Sequence, residues 1–333
     1  MLFVLAAGAR ADELTTVRIG TVGSMTEAPF YIADKKGYFR DEGIAVNFIP
    51  FDSAANMVAP LGAGQIDVGG GAPSAGLYNA VARGIDVRVV ADLGRDAPGY
   101  GFQVLLVRTE LVKSGQYKSF ADLRGRTIAV AGRGATAHAA IASKLLRKGG
   151  LKYDDINVVF MDYADQVVAL KNGSIDASLF PEPNGTIAAK TGAAVKVAGN
   201  DTFYPNQQVA VMIFGSTFLK AHRDLGVRFM RAYLRAVRYY AAAHKNGKLA
   251  GANADDVIHI LTDSTRIKDP TVYREATPNA DDPNGELNLA SMRDDLATYR
   301  ELGLIQGSTR AEDAVDGSFV AEALKTLGTY RGR

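Results

Sequence analysis

Gly64-Gln65-Ile66-Asp67-Val68-Gly69-Gly70-Gly71-Ala72-Pro73-Ser74 is the stretch on which the fold turns. It returns 109 residues later as Gly173-Ser174-Ile175-Asp176-Ala177, which leads into a second proline turn, Phe180-Pro181-Glu182-Pro183. The same offset pairs Leu61 with Leu170, Ile19 with Ile128 and Gly23 with Gly132. Each copy reads as a helix stopped by glycine, a short apolar strand and a turn. Ahead of each copy run a strand, a glycine turn, a helix and a second strand, so the chain reads as two similar α/β units; shared βαβ grammar without duplication is the alternative.

The elements follow from that frame. Strands are expected over 17–20, 46–50, 66–68 and 87–91, with helices over 28–36 (Pro29 in the first turn, Gly37 after the last), 54–63 and from Ser74 to Arg83. In the second unit a strand over 127–131 enters Gly132-Arg133-Gly134-Ala135-Thr136-Ala137-His138 and a helix through Leu146. Strands alternating with helices imply mostly parallel sheets. Two further Val/Leu/Ile-rich segments, 102–108 and 208–214, are expected to cross between domains. Residues 14–101 and 215–333 then form a discontinuous domain I and residues 109–207 an inserted domain II, with a ligand cleft between them.

Composition narrows the function. A chain of 333 residues with 47% hydrophobic and 22% charged residues buries real cores, and its length suits two domains. Lys+Arg 38 against Asp+Glu 36 leaves a net charge of +2, which excludes bulk electrostatic recruitment to nucleic acid. The absence of Cys excludes thiolate metal sites, thiol nucleophiles and disulfides. Four histidines, His138, His222, His244 and His259, show no ligand spacing, so no metal site and no cofactor are expected. Leu2–Gly8 followed by Ala9-Arg10-Ala11 reads as the tail of a secretory signal over residues 1–11, with a basic segment missing upstream and Asp12 as the mature N-terminus. A buried first strand is the other reading.

Open α/β sheets bind ligands at the C-terminal ends of their strands. Four turns lie there, and their residues are the candidate ligand contacts: Ser24, Met25, Thr26 and Glu27; Gly71, Pro73 and Ser74; Arg133, Gly134, Ala135, Thr136 and His138; and Glu182. Asn206, in Tyr204-Pro205-Asn206-Gln207-Gln208, is added from the expected hinge. Helix-start amides with Arg133 form an anion site, each charge-assisted hydrogen bond contributing about 1.5 to 3 kcal/mol. Ordinary alternatives stand beside each: a solvated loop charge for Arg133, a surface side chain for His138, a cap for Glu182 and a turn residue for Asn206.

Ala28-Pro29-Phe30-Tyr31-Ile32-Ala33, Lys36-Gly37-Tyr38-Phe39, the Leu61–Gly69 run, Asp122-Leu123-Arg124-Gly125-Arg126-Thr127-Ile128-Ala129-Val130 and Leu170–Ala177 ending in Pro181-Glu182-Pro183 come in an order that resembles a known family. The chain is similar, over about residues 15–245, to periplasmic ABC-transporter solute-binding proteins of the sulfonate, taurine, nitrate and thiamine-pyrimidine-precursor group. The resemblance implies a bilobed type II periplasmic binding protein fold, a monomer without enzymatic activity, a small organic anion as ligand, and an inner-membrane permease as partner. By the same resemblance the turns after Gly23, Gly71, Gly134 and Glu182 line the cleft, with the Phe30 or Phe180 region reading the rest of the ligand. Sulfonate members often carry Trp near the fourth turn, and this chain has none. A pyrimidine-like precursor or nitrate remains open as ligand.

Two enzyme readings compete. Gly132-x-Gly134-x-x-Ala137 after a strand, with Asp162 downstream, matches a dinucleotide fingerprint and points to an NAD(P)-dependent oxidoreductase. Ala72-Pro73-Ser74-Ala75-Gly76 resembles the nucleophile elbow of a serine hydrolase. Finally, Arg228, Arg231, Arg235 and Arg238 line one face of a helix expected over 225–244; the ordinary reading is a solvated face, the other a contact with a transporter.

Overall fold

The structure, a computed structural model, describes residues 14–51 and 54–332; the expected leader over residues 1–11 lies outside the described residues. Ten strands form two five-stranded mixed sheets. They are β1 (Thr15–Thr21), β2 (Ile44–Pro50), β3 (Val68–Gly71), β4 (Arg88–Asp96), β5 (Gln103–Arg108), β6 (Thr127–Val130), β7 (Asn157–Phe160), β8 (Ala177–Pro181), β9 (Ala194–Gly199) and β10 (Gln207–Phe214). The first sheet has the order β2-β1-β3-β10-β4 and the second β7-β6-β8-β5-β9. In each, three parallel strands are followed by one antiparallel strand, β10 or β5, and an outer strand.

The two units share their register. Ile19 faces Val68 and Gly20 faces Gly69; Ile128 faces Ala177 and Ala129 faces Ser178, each pair the counterpart of the other at the 109-residue offset. The repeated Gly-x-Ile-Asp explains why. Gly64 and Gly173 take left-handed φ of +68° and +81° to stop their helices, which glycine does without steric cost. Ile66 and Ile175 drop into the core. Asp67 then accepts the Arg18 amide at 2.8 Å, and Asp176 the Thr127 amide at 3.0 Å, so the carboxylates fasten the middle of β1 and the start of β6. Asp67 also pairs with the Arg18 guanidinium at 2.7 Å; Asp176 pairs with Arg108 at 3.2 Å.

The segments expected to cross between domains are themselves sheet strands. Residues 103–108 are β5 of the second sheet and residues 207–214 are β10 of the first. The chain passes between sheets just upstream of each, over 97–102 and 200–206. An apolar run announces a buried strand but not which sheet it joins.

The C-terminal third wraps the first sheet. Helix Arg223–Ala241 packs Phe229, Tyr233 and Val237 into the core, where Phe30 meets Phe229 and Tyr233 at ring-centroid distances of 6.1 and 5.6 Å. Phe30 is therefore core rather than a ligand-reading residue. The basic stripe on the outer face of this helix is consumed within the chain. Arg231 forms a two-pronged pair with Glu42 at 2.9 and 2.5 Å, Arg235 pairs with Asp41 at 2.9 Å, and Arg238 donates to the Pro283 and Gly328 carbonyls. Arg231→Ala is expected to cost about 1 kcal/mol in a urea melt, because the pair is half-buried and bidentate. No described helix is long and apolar enough to cross a membrane.

Candidate functional site

The strand-end turns of the two sheets meet in pairs. The Met25 amide of the first turn donates to the Glu182 carbonyl of the fourth at 3.5 Å. The Ala75 amide, just after the second turn, donates to the Gly134 carbonyl of the third at 2.9 Å. Two ion pairs also cross the boundary, Lys144 with Asp294 at 2.9 Å and Lys190 with Glu275 at 2.8 Å, each joining the second sheet's layer to the C-terminal helices.

Within the turns most of the expected ligand contacts are already engaged. Ser24 and Glu27 form a capping box: the Ser24 hydroxyl accepts the Thr26 amide at 3.3 Å, and Glu27 gathers the amides of Val22, Gly23 and Ser24 at 2.7, 2.8 and 3.2 Å. Burial pushes the Glu27 carboxyl up to about 7 against the pull of those three amides. The first turn thus carries its own acid in the amide nest that an anion would need. Met25 and Thr26 are buried beside it, and Thr26 packs against Gly94. In the second turn Gly71 approaches Ala54 too closely for a side chain and Pro73 is buried. Ser74 caps its helix by accepting the Leu77 amide at 3.3 Å. Among the described residues no histidine hydrogen-bonds Ser74.

In the third turn Gly134 has φ +74° and its amide donates to His138 Nδ1 at 3.1 Å. Nδ1 accepts, so the neutral imidazole carries its proton on Nε2 and donates it to the Tyr153 hydroxyl at 2.7 Å. Burial, reinforced by Arg133, drives His138 down to about 4 and keeps it neutral. It braces the turn rather than contacting a ligand. Arg133 is exposed and lies over the Phe160 ring at 4.6 Å. Ala135 caps the helix that begins at Thr136. With Ala75 pressed against Gly134, the place where a pyrophosphate would approach the fingerprint is filled by the facing sheet's own turn.

Glu182 is buried and is reached from both units, the Thr277 amide of the first donating to its carboxylate at 3.4 Å. It accepts the Thr186 amide at 2.8 Å and pairs with Lys196 at 2.5 Å. Asn206 is exposed, with φ +63°; its amide donates to the Asp96 carbonyl and its carbonyl accepts from Asn288, so it serves as a turn residue away from the strand-end turns. Phe180 is buried and packs on Tyr163.

Thr136 belongs instead to a polar junction that the sequence reading missed. Its hydroxyl donates to the Val209 carbonyl and accepts from Gln103, both at 3.4 Å, while its carbonyl accepts from Gln207 at 3.1 Å. Asp96, where the chain leaves the first sheet, accepts the Gln103 amide at 3.1 Å and Asn200 Nδ2 at 2.5 Å. Asn200 also donates to Gln207, and Gln207 to Asp295. Burial lifts Asp96 up to about 8. One hydrogen-bonded chain thus ties together both crossings. The only sequence signal for it is Gln207-Gln208, two polar residues heading an otherwise apolar strand.

Residues 24–246 match the family described as NMT1/THI5 like. A protein of Brucella abortus (strain 2308) named as a binding protein is 27% identical over 245 residues, 73% of this chain and 72% of the relative. A protein of Aspergillus parasiticus named 4-amino-5-hydroxymethyl-2-methylpyrimidine phosphate synthase is 26% identical over 227 residues, 65% of this chain and 63% of the relative. Among solved structures the fold is similar to that of the periplasmic nitrate-binding protein of Synechocystis PCC 6803, with TM-score 0.77 and 14% identity over 95% of this chain and 90% of that one. It is also similar to the alkanesulfonate-binding protein of Xanthomonas axonopodis pv. citri bound to MOPS, with TM-score 0.69 and 18% identity over 92% of this chain and 99% of that one. At these identities the two structures speak for the fold alone, a bilobed α/β fold of the periplasmic binding protein type.

Proposed function

Because the chain belongs to the NMT1/THI5-like family, we propose that it is the solute-binding component of an ABC importer, holding a small organic anion between its two lobes in the periplasm and presenting it to a membrane permease. The observation that carries this reading is the pairing of strand-end turns across the lobe boundary, Met25 with Glu182 and Ala75 with Gly134, in a chain that crosses between lobes twice. Paired crossings allow hinge motion, and a ligand that touches both lobes favours the closed state by its differential affinity.

With Glu27, Glu182 and His138 engaged internally, the donors left for an anion are the Arg133 guanidinium and the first-turn amides of the helix starting at Thr136, which have no acceptor within their helix. A second reading, a neutral pyrimidine-like solute, draws on the two buried carboxyls, Glu27 and Glu182, that stand in facing turns.

A thermal-shift screen of the purified chain with alkanesulfonates, taurine, nitrate, carboxylates, pyrimidines and NAD(P) separates these. A solute at 100 times its Kd adds about 2.7 kcal/mol. Stabilisation by one organic anion supports the first reading, by a pyrimidine alone the second, and by NAD(P) alone overturns both. For an anion so found, Arg133→Ala is expected to weaken binding by about 10- to 150-fold, the equivalent of a charge-assisted bond; unchanged affinity removes Arg133 from the site.

A further inference from the structure

At the lobe boundary lies a buried acid, Asp295, that the binding reading leaves without a task. Asp295 lies on helix Leu289–Glu301, which is held to the first sheet where Ser291 accepts the Gln208 amide at 2.9 Å. Asp295 is 0% exposed, and both its oxygens accept from the Gln207 side-chain nitrogen, at 3.1 and 2.9 Å. That nitrogen also donates across the boundary to the Thr136 carbonyl.

The cover over Asp295 comes partly from the second lobe. Ala139, on the helix begun by Thr136, is buried in one apolar cluster with Tyr78, Met292, Leu296 and Tyr299. Lys144, further along the same helix, is the cation that faces Asp295, and it is drawn aside into its pair with Asp294. The other titratable neighbours are Asp294 itself and the hydroxyls of Tyr204, Tyr78 and Tyr299. Tyr204 donates to the Ser291 carbonyl at 3.3 Å, while the Tyr78 and Tyr299 hydroxyls are buried without a partner among the described residues. An ionised carboxylate enclosed this way has no counter-ion of its own. Separation of the lobes lifts the Ala139 face away and lets water reach it, and water is what stabilises the ionised form.

We propose that closure of the two lobes takes up a proton at Asp295, so that the closed, solute-holding state is a protonated one. This rests on the hinge-closing reading above. It gives the solute a co-ligand: an anion captured by closure is accompanied by one proton, and a rise in pH favours its release. Burial places the closed-state carboxyl up to about 7. The hydrated open-state carboxyl titrates nearer the ordinary range for aspartate, about 4. Between those limits the closed form binds more protons than the open one, so the closed-to-open ratio falls by up to about tenfold per pH unit as pH rises from 5 to 7.

The chain has no cysteine, so Lys171→Cys on the second lobe and Lys325→Cys on the first, both exposed, take spin labels selectively. Inter-lobe distances by double electron–electron resonance at pH 5, 6 and 7 are measured on the labelled chain and on the same chain carrying Asp295→Asn, whose uncharged amide does not titrate. The expected result is two populations whose ratio follows pH in the labelled chain and ignores it in D295N. Two populations with a pH-independent ratio, or a pH dependence that survives in D295N, overturn the proposal while leaving the hinge intact. A single distance under every condition overturns the hinge reading and the proposal together. A melting curve of D295N that matches the labelled chain at pH 5 confirms that the variant folds.

Discussion

Gly134→Ala is expected to hold the lobes apart and to weaken binding of the solute found by the screen by about 5- to 150-fold, while the chain still folds. A β-carbon at Gly134 would sit 2.6 Å from the β-carbon of Ala75 on the opposite lobe and 3.5 Å from Leu304. Relief requires the two turns to part by about 1 Å, given an ordinary carbon contact of about 3.5 to 4 Å. That breaks the 2.9 Å bond from the Ala75 amide to the Gly134 carbonyl. A buried donor left unmade costs about 1 to 3 kcal/mol, a factor of about 5 to 150 in the closed population. The substitution also strains a residue at φ +74°, by about 1 to 2 kcal/mol, but this penalty falls on the open and closed states alike. Gly125→Ala is the matching control. Gly125 has φ +72° and open space around its α-carbon, so alanine there carries the strain without the contact. Small-angle scattering and affinity measured on both variants separate the effects: G125A loses stability and keeps affinity, G134A loses both. Equal affinities would show that the turns do not meet when solute is bound.

Stability is expected to fall by on the order of 3 kcal/mol between pH 6.5 and 8.5, lowering Tm by roughly 5 °C. Buried carboxyls set the sign, and Asp92 and Asp281, raised by the same desolvation, act in the same direction as the three that follow. Burial raises Glu27 and Asp295 to about 7 and Asp96 to about 8. The unfolded chain releases these protons near pH 4, so the folded state binds more protons over the interval between and loses stability as pH rises through it. His138 and His244 act in the opposite direction. Burial lowers both to about 4, so the unfolded state binds more protons than the folded one below about 6.5, and stability falls there as pH drops. Above about pH 7.5 the histidines are neutral in both states and the carboxyls act unopposed; between about 6.5 and 7.5 the histidines offset only a minor part. Asp96, raised to about 8, acts through the upper part of this range, and Asp96→Asn is expected to reduce the slope there. Urea melts at pH 6.5, 7.5 and 8.5 check this; a slope unchanged in D96N would assign the effect to other groups.

The parts of the fold that sequence discloses are those whose causes are local. In Gly-x-Ile-Asp the glycine ends a helix, the isoleucine enters the core and the aspartate reaches the next strand's amide, and each task selects its residue type wherever the motif occurs. The site was harder to read because position on a turn does not give side-chain direction. Glu27 looked available, yet three amides within five residues claim it; Ser24 followed three places on by Glu27 is a capping-box spacing, so this one was legible. Beside their local bonds to Thr186 and Gly134, Glu182 is claimed by Lys196 on another strand and His138 by Tyr153; nothing local signals these distant partners. The junction of Asp96, Asn200, Gln207 and Asp295 draws on three separated segments and follows only from the tertiary arrangement.

The place of β10 in the first sheet also fixes an order of assembly. β4 reaches that sheet only through β10, which lies between it and β3. The strands of the second sheet come from one continuous stretch, 103–199, whose ends lie side by side where Val104 faces Gly199. As the polypeptide is made, that stretch holds everything its sheet requires once residue 199 has appeared, whereas the first sheet waits for residue 214. The lobe begun first is completed last, and pulse-labelled hydrogen exchange during refolding is expected to protect β6 and β8 before β4.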